Sequence, residues 1–310
     1  VNMKYFDLHC DTITECYLKK AELFDNELHW SLKRAQAYNP LAQVFAIWIP
    51  DEYRGESAVR RFEDVYKTFI FQMTKNSDKI SFCHNAAELK SALNKNKTAA
   101  LLSIEGGAAL GGKIENLDKA YNMGVRIMTL TWNGRCEIGD GVMVKHAKGL
   151  TEFGVEVVRR MEQLGMIVDV SHLSEKGFWN VAEVTSKPFI ASHSNSQKIC
   201  SHKRNLTDEQ FIEIKKRGGI VGINLYRGFL RDGGKAFIKD VKNHIEHFLS
   251  LGGENVLALG GDLDGSDLPY DMKGVEDISK IYDELLKSFS EQIVNALFFD
   301  NAYRFFENNL

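Results

Sequence analysis

The sequence predicts an α/β fold of the parallel (β/α)8 barrel kind, and three observations predict it. Short apolar runs alternate with amphipathic helical stretches about eight times along the chain, the pattern of βαβ units wound into a closing parallel sheet. Residues able to bind a metal recur where those runs end, and that rim is where such barrels carry chemistry. No Gly-x-Gly-x-x-Gly follows the first run, so an open doubly wound sheet built for nucleotides has no support. A chain of 310 residues, 44% of them hydrophobic, fills one such barrel. No linker, charge block or low-complexity stretch divides it, so residues 1–310 are expected to form a single domain.

The elements follow in order. The lead Tyr5-Phe6 opens a first strand that ends in Asp7-Leu8-His9-Cys10-Asp11-Thr12. Successive strand side chains face opposite ways, so His9 and Asp11 share a face and Cys10 turns to the other. Residues 42–49 are apolar enough for a buried strand, and Pro50 stops it. From 56 to 75, Val59, Phe62, Val65, Tyr66 and Phe69 recur at the three- and four-residue spacing of one helical face. A strand is expected at 80–83, a helix at 86–94, and a strand at 99–104 that runs into Glu105-Gly106-Gly107. Then come a helix at 117–123, a strand at 126–131, a glycine-rich loop at 134–149 and a helix at 152–164. The remaining strands are placed at 166–170, 189–191, 220–225 and 256–259, the helices at 174–184, 208–216, 237–251 and from about 275 onward.

Composition excludes several classes of function. Lys plus Arg (39) nearly balance Asp plus Glu (42), and a net charge of −3 gives no footprint for nucleic acid or an anionic membrane surface. The partner is expected to be a small molecule. Five scattered cysteines without a Cys-x-x-Cys pair read as reduced thiols in the cytoplasm. No apolar run approaches the roughly 18 residues needed to cross a bilayer, and without a basic segment followed by an apolar run and a cleavage site near the start, an unprocessed soluble protein is expected.

Read at the strand ends, the chain offers His9 and Asp11, Glu105, His172, His193, and Asp262 with Asp264. Any one of these is ordinary where solvent begins, but three His, a Glu and two or three Asp on separate strands are not. Imidazole with carboxylate suits Zn²⁺ or another divalent transition ion and disfavours Ca²⁺. The donors exceed what one four-coordinate zinc uses, so two ions with Glu105 as the bridge fit better, an arrangement for metal-assisted amide hydrolysis. His29, His84, His202, His244 and His247 are expected away from those ends, with His244 and His247 on a solvated helix face. His146, in the glycine-rich loop, is expected near the mouth.

The ordered set His9-x-Asp11, Ser103-Ile104-Glu105-Gly106-Gly107, Asp169-Val170-Ser171-His172, Ser192-His193-Ser194-Asn195, Lys203-Arg204-Asn205 and Gly261-Asp262-Leu263-Asp264-Gly265 resembles the motifs of the membrane (renal) dipeptidase family, peptidase family M19. The likeness is to its soluble bacterial members. It implies a TIM-like barrel of the metal-dependent amidohydrolase type, two Zn²⁺ per chain, a dipeptide substrate and a homodimer. His9 and Asp11 would bind one ion, His172 and His193 the other, with Glu105 bridging. Asp262 would deprotonate the bridging water and pass the proton to the leaving amine, and Arg204 would hold the substrate's free carboxylate. The family also implies tolerance of a D residue on the carboxyl side. Trp132 stands where eukaryotic members carry a substrate-contacting His, and an indole donates only one hydrogen bond. Asn133 or another group would then supply the donor, or the oxyanion would be stabilised mainly by zinc. Tyr226 matches a pocket residue of the family, with core packing an equal alternative. The runner-up activity is a metal-dependent amidase or deacylase acting on another small amide or cyclic imide.

Overall fold

A computed structural model of the chain describes residues 3–310. Its strands are β1 (Tyr5–Cys10), β2 (Leu41–Trp48), β3 (Ile80–Phe82), β4 (Thr98–Glu105), β5 (Val125–Thr129), β6 (Ile167–Asp169), β7 (Val221–Ile223) and β8 (Leu257–Leu259). All pair in parallel, in the order β6-β5-β4-β2-β1-β8-β7. The result is an α/β fold whose parallel sheet curls, with helices between the strands. Among the described residues no helix is long and apolar enough to cross a membrane.

Two expected strands behave differently from the rest. β3 lies off the path of the sheet: it pairs with the Thr98–Ala100 half of β4 while β5 takes over from Leu102. The stretch 189–191 forms no strand and keeps only single parallel bridges, Ile190 to Asp169 and Ala191 to Val221, across the two edges of the sheet. Its ladder stops because the next donor, the N–H of Ser192, goes to the Asp169 side chain at 2.9 Å and not to a neighbouring carbonyl.

One face of the sheet carries the chemistry. Phe6, Leu8, Ala42, Val44, Ala99, Leu101, Ile127, Ile167, Ile190, Ile220 and Ala258 pack in one cluster, closed off by Phe299 and Phe306 of the C-terminal segment. At two-residue steps the same face continues into Glu105, Asp169, Ser192 and Asp262, so the apolar floor gives way to polar groups at the strand ends. β1 would break this phase, since Phe6 and Leu8 point to the cluster and a regular strand would turn His9 away. Its register with β2 slips between Asp7 and Cys10, and the irregularity brings His9 to the side of Glu105. The opposite faces pack on helices: Gly55–Lys75, as its periodicity predicts, buries Ala58, Phe62, Val65, Phe69 and Met73. The helix Thr12–Lys19 directly after β1 was not anticipated, because Thr, Cys and Tyr obscure its apolar face.

His244 corrects the expectation of a solvated surface histidine. It is fully buried, accepts the N–H of Ser196 at 3.0 Å and donates to the carbonyl of Leu230 at 2.8 Å, which braces the segment following His193. Burial pushes its pKa from 6.5 down to about 4. The unfolded chain therefore takes up a proton that the folded chain refuses, so this residue's contribution is complete above pH 6.5 and is lost as pH falls toward 4. The cost reaches about 3 kcal/mol. Urea unfolding of metal-free protein across that window should show this acid loss in the parent and a flatter profile in His244→Gln; parallel profiles would contradict it.

Candidate metal centre

Three histidines from three parts of the chain meet on one oxygen. Glu105 Oε2, at the end of β4, lies 3.2 Å from His9 Nε2, 3.2 Å from His172 Nε2 and 3.1 Å from His193 Nε2. The ring of His9 stacks on that of His193 with centroids 3.7 Å apart, and His172 Nε2 is 3.1 Å from His193 Nε2. On the outer side His9 Nε2 faces Asp11 Oδ2 at 3.2 Å and Asp262 Oδ1 at 3.6 Å. The donors form two groups, His9 with Glu105 and His193, and His9 with Asp11 and Asp262, each spanning no more than 4.8 Å. All six ligand candidates named from sequence, Asp262 included, converge here and are buried. His9, expected on one side only, belongs to both groups.

The backbone is bent to achieve this. His172 (φ 69°) and Asp262 (φ 56°) hold left-handed conformations that cost non-glycine residues free energy and persist only under external restraint. The restraints are present: the His172 carbonyl accepts the N–H of Val142 at 2.8 Å, and the N–H of Asp262 donates to the carbonyl of His9 at 3.0 Å. Asp7, fully buried, ties the same two strand ends together, accepting the N–H of His9 (3.0 Å) and of Gly261 (2.8 Å), with Gln43 (2.9 Å) and the Tyr5 hydroxyl (2.9 Å) as further donors. Asp264 accepts from Thr12 Oγ1 and the N–H groups of His29 and Trp30, and its own N–H donates to His29 Nδ1 at 3.0 Å. His29 therefore belongs to the outer support of the site, against expectation. Neither Asp7 nor His29 could be picked out in sequence, since Asp7 reaches Gln43 and Gly261, and His29 reaches Asp264, across long gaps in the chain.

Electrostatics favour a cation. Burial opposes a charged His9, yet Glu105, Asp11 and Asp262 outweigh it and raise its pKa to about 10. Burial, and next the nearby Asp11, push Asp262 up to about 8, and burial raises Glu105 well above the usual carboxylate range. Burial drives His172 and His193 well below 6.5, leaving them neutral, the form that ligates metal. Asp11 Oδ1 is buried without any hydrogen-bond partner, and a Cβ on Gly265 would collide with both Asp11 Oδ2 and Asp262 Oδ1. Mixed imidazole and carboxylate donors, an orphaned buried oxygen and a space kept clear by glycine all fit divalent transition ions.

The centre opens on a cleft of about 590 Å³ lined by Trp48, Trp132, Asn133, Tyr226 and Phe229 beside Asp11, Glu105, His172 and Asp262. Trp132 meets Trp48 edge-on at 5.0 Å. Asn133 has a second engagement: its Oδ1 lies 2.8 Å from His172 Nδ1, so it also orients a histidine. Arg204 does not line the cleft. It is buried, donates to the His193 carbonyl and to Ser194 Oγ, both at 2.8 Å, and borders an adjoining cavity of about 490 Å³ that shares His172 with the cleft. His146 is exposed and lines neither space. Trp48 and Phe229 went unnoticed in sequence because an aromatic residue at a strand or helix end reads first as core.

The chain is similar in sequence and in fold to known proteins. The sequence model of the family described as membrane dipeptidase (peptidase family M19) matches residues 1–309. A Klebsiella pneumoniae protein, described as an uncharacterized protein in the pqqA 5′ region, is 31% identical over 244 residues, 75% of this chain and 90% of its own. A crystal structure of a dipeptidase of metallopeptidase family M19 superposes with a TM-score of 0.93 at 25% identity, covering 100% of this chain and 99% of the other. A metallopeptidase from Rhodobacter sphaeroides, liganded with a phosphinate mimic of the dipeptide L-Ala-D-Ala, superposes with a TM-score of 0.94 at 24% identity over 100% of both chains.

Gly265→Ala tests the cradle. The added methyl should weaken zinc binding about 10- to 100-fold, the effect typical of disturbing a metal's surroundings, with little change in the unfolding temperature of metal-free protein. Isothermal titration with zinc checks it, and unchanged affinity would show that Asp11 and Asp262 do not close on a cation.

Proposed function

From the premise that this chain belongs to the membrane dipeptidase family, peptidase family M19, and is a metal-dependent dipeptidase, we propose that it uses two zinc ions at the Glu105 cluster to hydrolyse free dipeptides. The observation that carries the reading is the convergence of three imidazole nitrogens on Glu105 Oε2. A single carboxylate met from several sides suits the bridge of a two-ion centre. His9 and Asp11 would hold one ion, His172 and His193 the other, and Glu105 both. The same proposal takes residues 1–310 as one closed barrel. The bridges through Ile190 and Ala191 support that closure. Five buried, unpaired cysteines suit the reducing cytoplasm.

Zinc bound there supplies Lewis acidity, polarising the scissile carbonyl and making water a better nucleophile. Everything else is done by side chains. Asp262 faces the cleft within reach of the reacting atoms and accepts the proton of the attacking water, then returns it to the leaving amine. Burial raises its pKa, and a carboxylate held next to a bound dication would stay ionised and able to accept. Trp48, Trp132 and Tyr226 shape the walls around the dipeptide. Arg204 acts on the free carboxylate from behind His193 and Ser194, as a fixed positive charge held in place by the protein. Because the Rhodobacter metallopeptidase accommodates a mimic of L-Ala-D-Ala, substrates with a D residue on the carboxyl side are included in the reading.

The test is a panel of L-L, L-D and glycine-containing dipeptides on zinc-loaded protein. Turnover of some members is expected, and Asp262→Asn should lower kcat by about 10²- to 10⁴-fold with zinc content unchanged. A panel left wholly uncleaved would refute the substrate class, and an Asp262→Asn variant as active as the parent would refute the base.

A further inference from the structure

We propose that Asp169 is a positioning residue that sets the tautomer of His193 through the hydroxyl of Ser192. No sequence motif assigns it this role, and it touches neither the cleft nor the cluster around Glu105. It is fully buried at the end of β6. Its Oδ1 accepts the N–H groups of Ser171 (3.1 Å) and Ser192 (2.9 Å), and its Oδ2 receives the hydroxyls of Thr129 and Ser192. One carboxylate thus grips the residues immediately before His172 and His193, together with the end of β5.

Counting hydrogens gives the consequence. Both backbone groups can only donate, so Asp169 accepts from them, and as a carboxylate it accepts from both hydroxyls as well. Ser192 has a single hydroxyl hydrogen and spends it on Asp169 Oδ2. Toward His193 Nδ1, 2.7 Å away, Ser192 Oγ can then only accept, so the ring hydrogen sits on Nδ1. Nε2 is left with its lone pair toward Glu105, 3.1 Å off, which is the form a ligand needs. His172 reaches the same state by a different route, donating from Nδ1 to the neutral amide oxygen of Asn133. The two histidines therefore differ in support, and His193 alone is backed by a negative charge one hydroxyl away.

Asp169→Asn separates this role from simple bracing. It preserves shape, but an amide NH₂ at the Oδ2 position donates to Ser192, whose hydroxyl must then donate to His193 Nδ1. The ring hydrogen moves to Nε2 and blocks ligation. The inference rests on His193 being a metal ligand, so two readouts are taken on full-length protein. The imidazole ¹⁵N shifts of His193 in metal-free protein should report hydrogen on Nδ1 in the parent and on Nε2 in Asp169→Asn. Zinc titration should show the second equivalent weakened about 10- to 100-fold, and more than in Ser192→Ala, which removes the relay without reversing it. Should Asp169→Asn fail to fold, Ser192→Ala carries the test by losing the fixed Nδ1–H signal, and Ser192→Thr should restore it. An Asp169→Asn variant with the parental tautomer, or one binding both equivalents as tightly as the parent, overturns the proposal. A parent chain that binds fewer than two zinc ions overturns the two-ion reading instead, and the tautomer measurement then decides the relay alone.

Discussion

Glu105 Oε2 is the point on which this structure depends. Three imidazoles lie within 3.2 Å of it, and Asp11 and Asp262 close the other side of His9. Removing that many ionisable groups from water costs several kcal/mol per charge, roughly, and their attraction offsets the cost only when geometry and hydrogen bonding are satisfied. The surrounding architecture meets that requirement. Asp7, Asn133, Asp169 and Asp264 each fix a ligand-bearing segment by hydrogen bonds, while left-handed turns at His172 and Asp262 direct the side chains inward. A site of this kind holds its shape because the shell outside it is rigid, and it favours cations because carboxylates crowd one imidazole.

Much of this is visible in the sequence, for a physical reason. A parallel sheet sends every second side chain to the same face, so a polar residue in phase with an apolar run marks the rim: Glu105 follows Ala99 and Leu101, and Asp262 follows Ala258. The ligand candidates and the alternation of strands and helices could be read that way. What could not be read depends on contacts between distant residues. The slip in β1 that turns His9 inward needs β2 as its partner. β3 reads as an equal member of the sheet because its three residues look like any short strand, yet it sits beside one half of β4. His244, on an amphipathic helix, reads as solvated until the segment after His193 is seen packed over it.

Two residues changed meaning once their neighbours were known. Asn133, one of the groups expected to supply the donor that Trp132 lacks, lines the cleft and also holds His172 through its Oδ1. Arg204, expected to hold the substrate's free carboxylate, also braces the backbone of His193. Both lie within hydrogen-bond reach of the segments that carry His172 and His193. Motif position carries that much, whereas the direction of a long side chain is settled by packing.

The central claim is that this one cluster holds two cations through a shared carboxylate. Crystals of zinc-loaded protein measured on both sides of the zinc absorption edge test it most directly. Two anomalous peaks about 3.5 Å apart, each in contact with Glu105, one beside His9 and Asp11 and the other beside His172 and His193, are the expected result. A single peak, or zinc bound away from Glu105, would contradict the account.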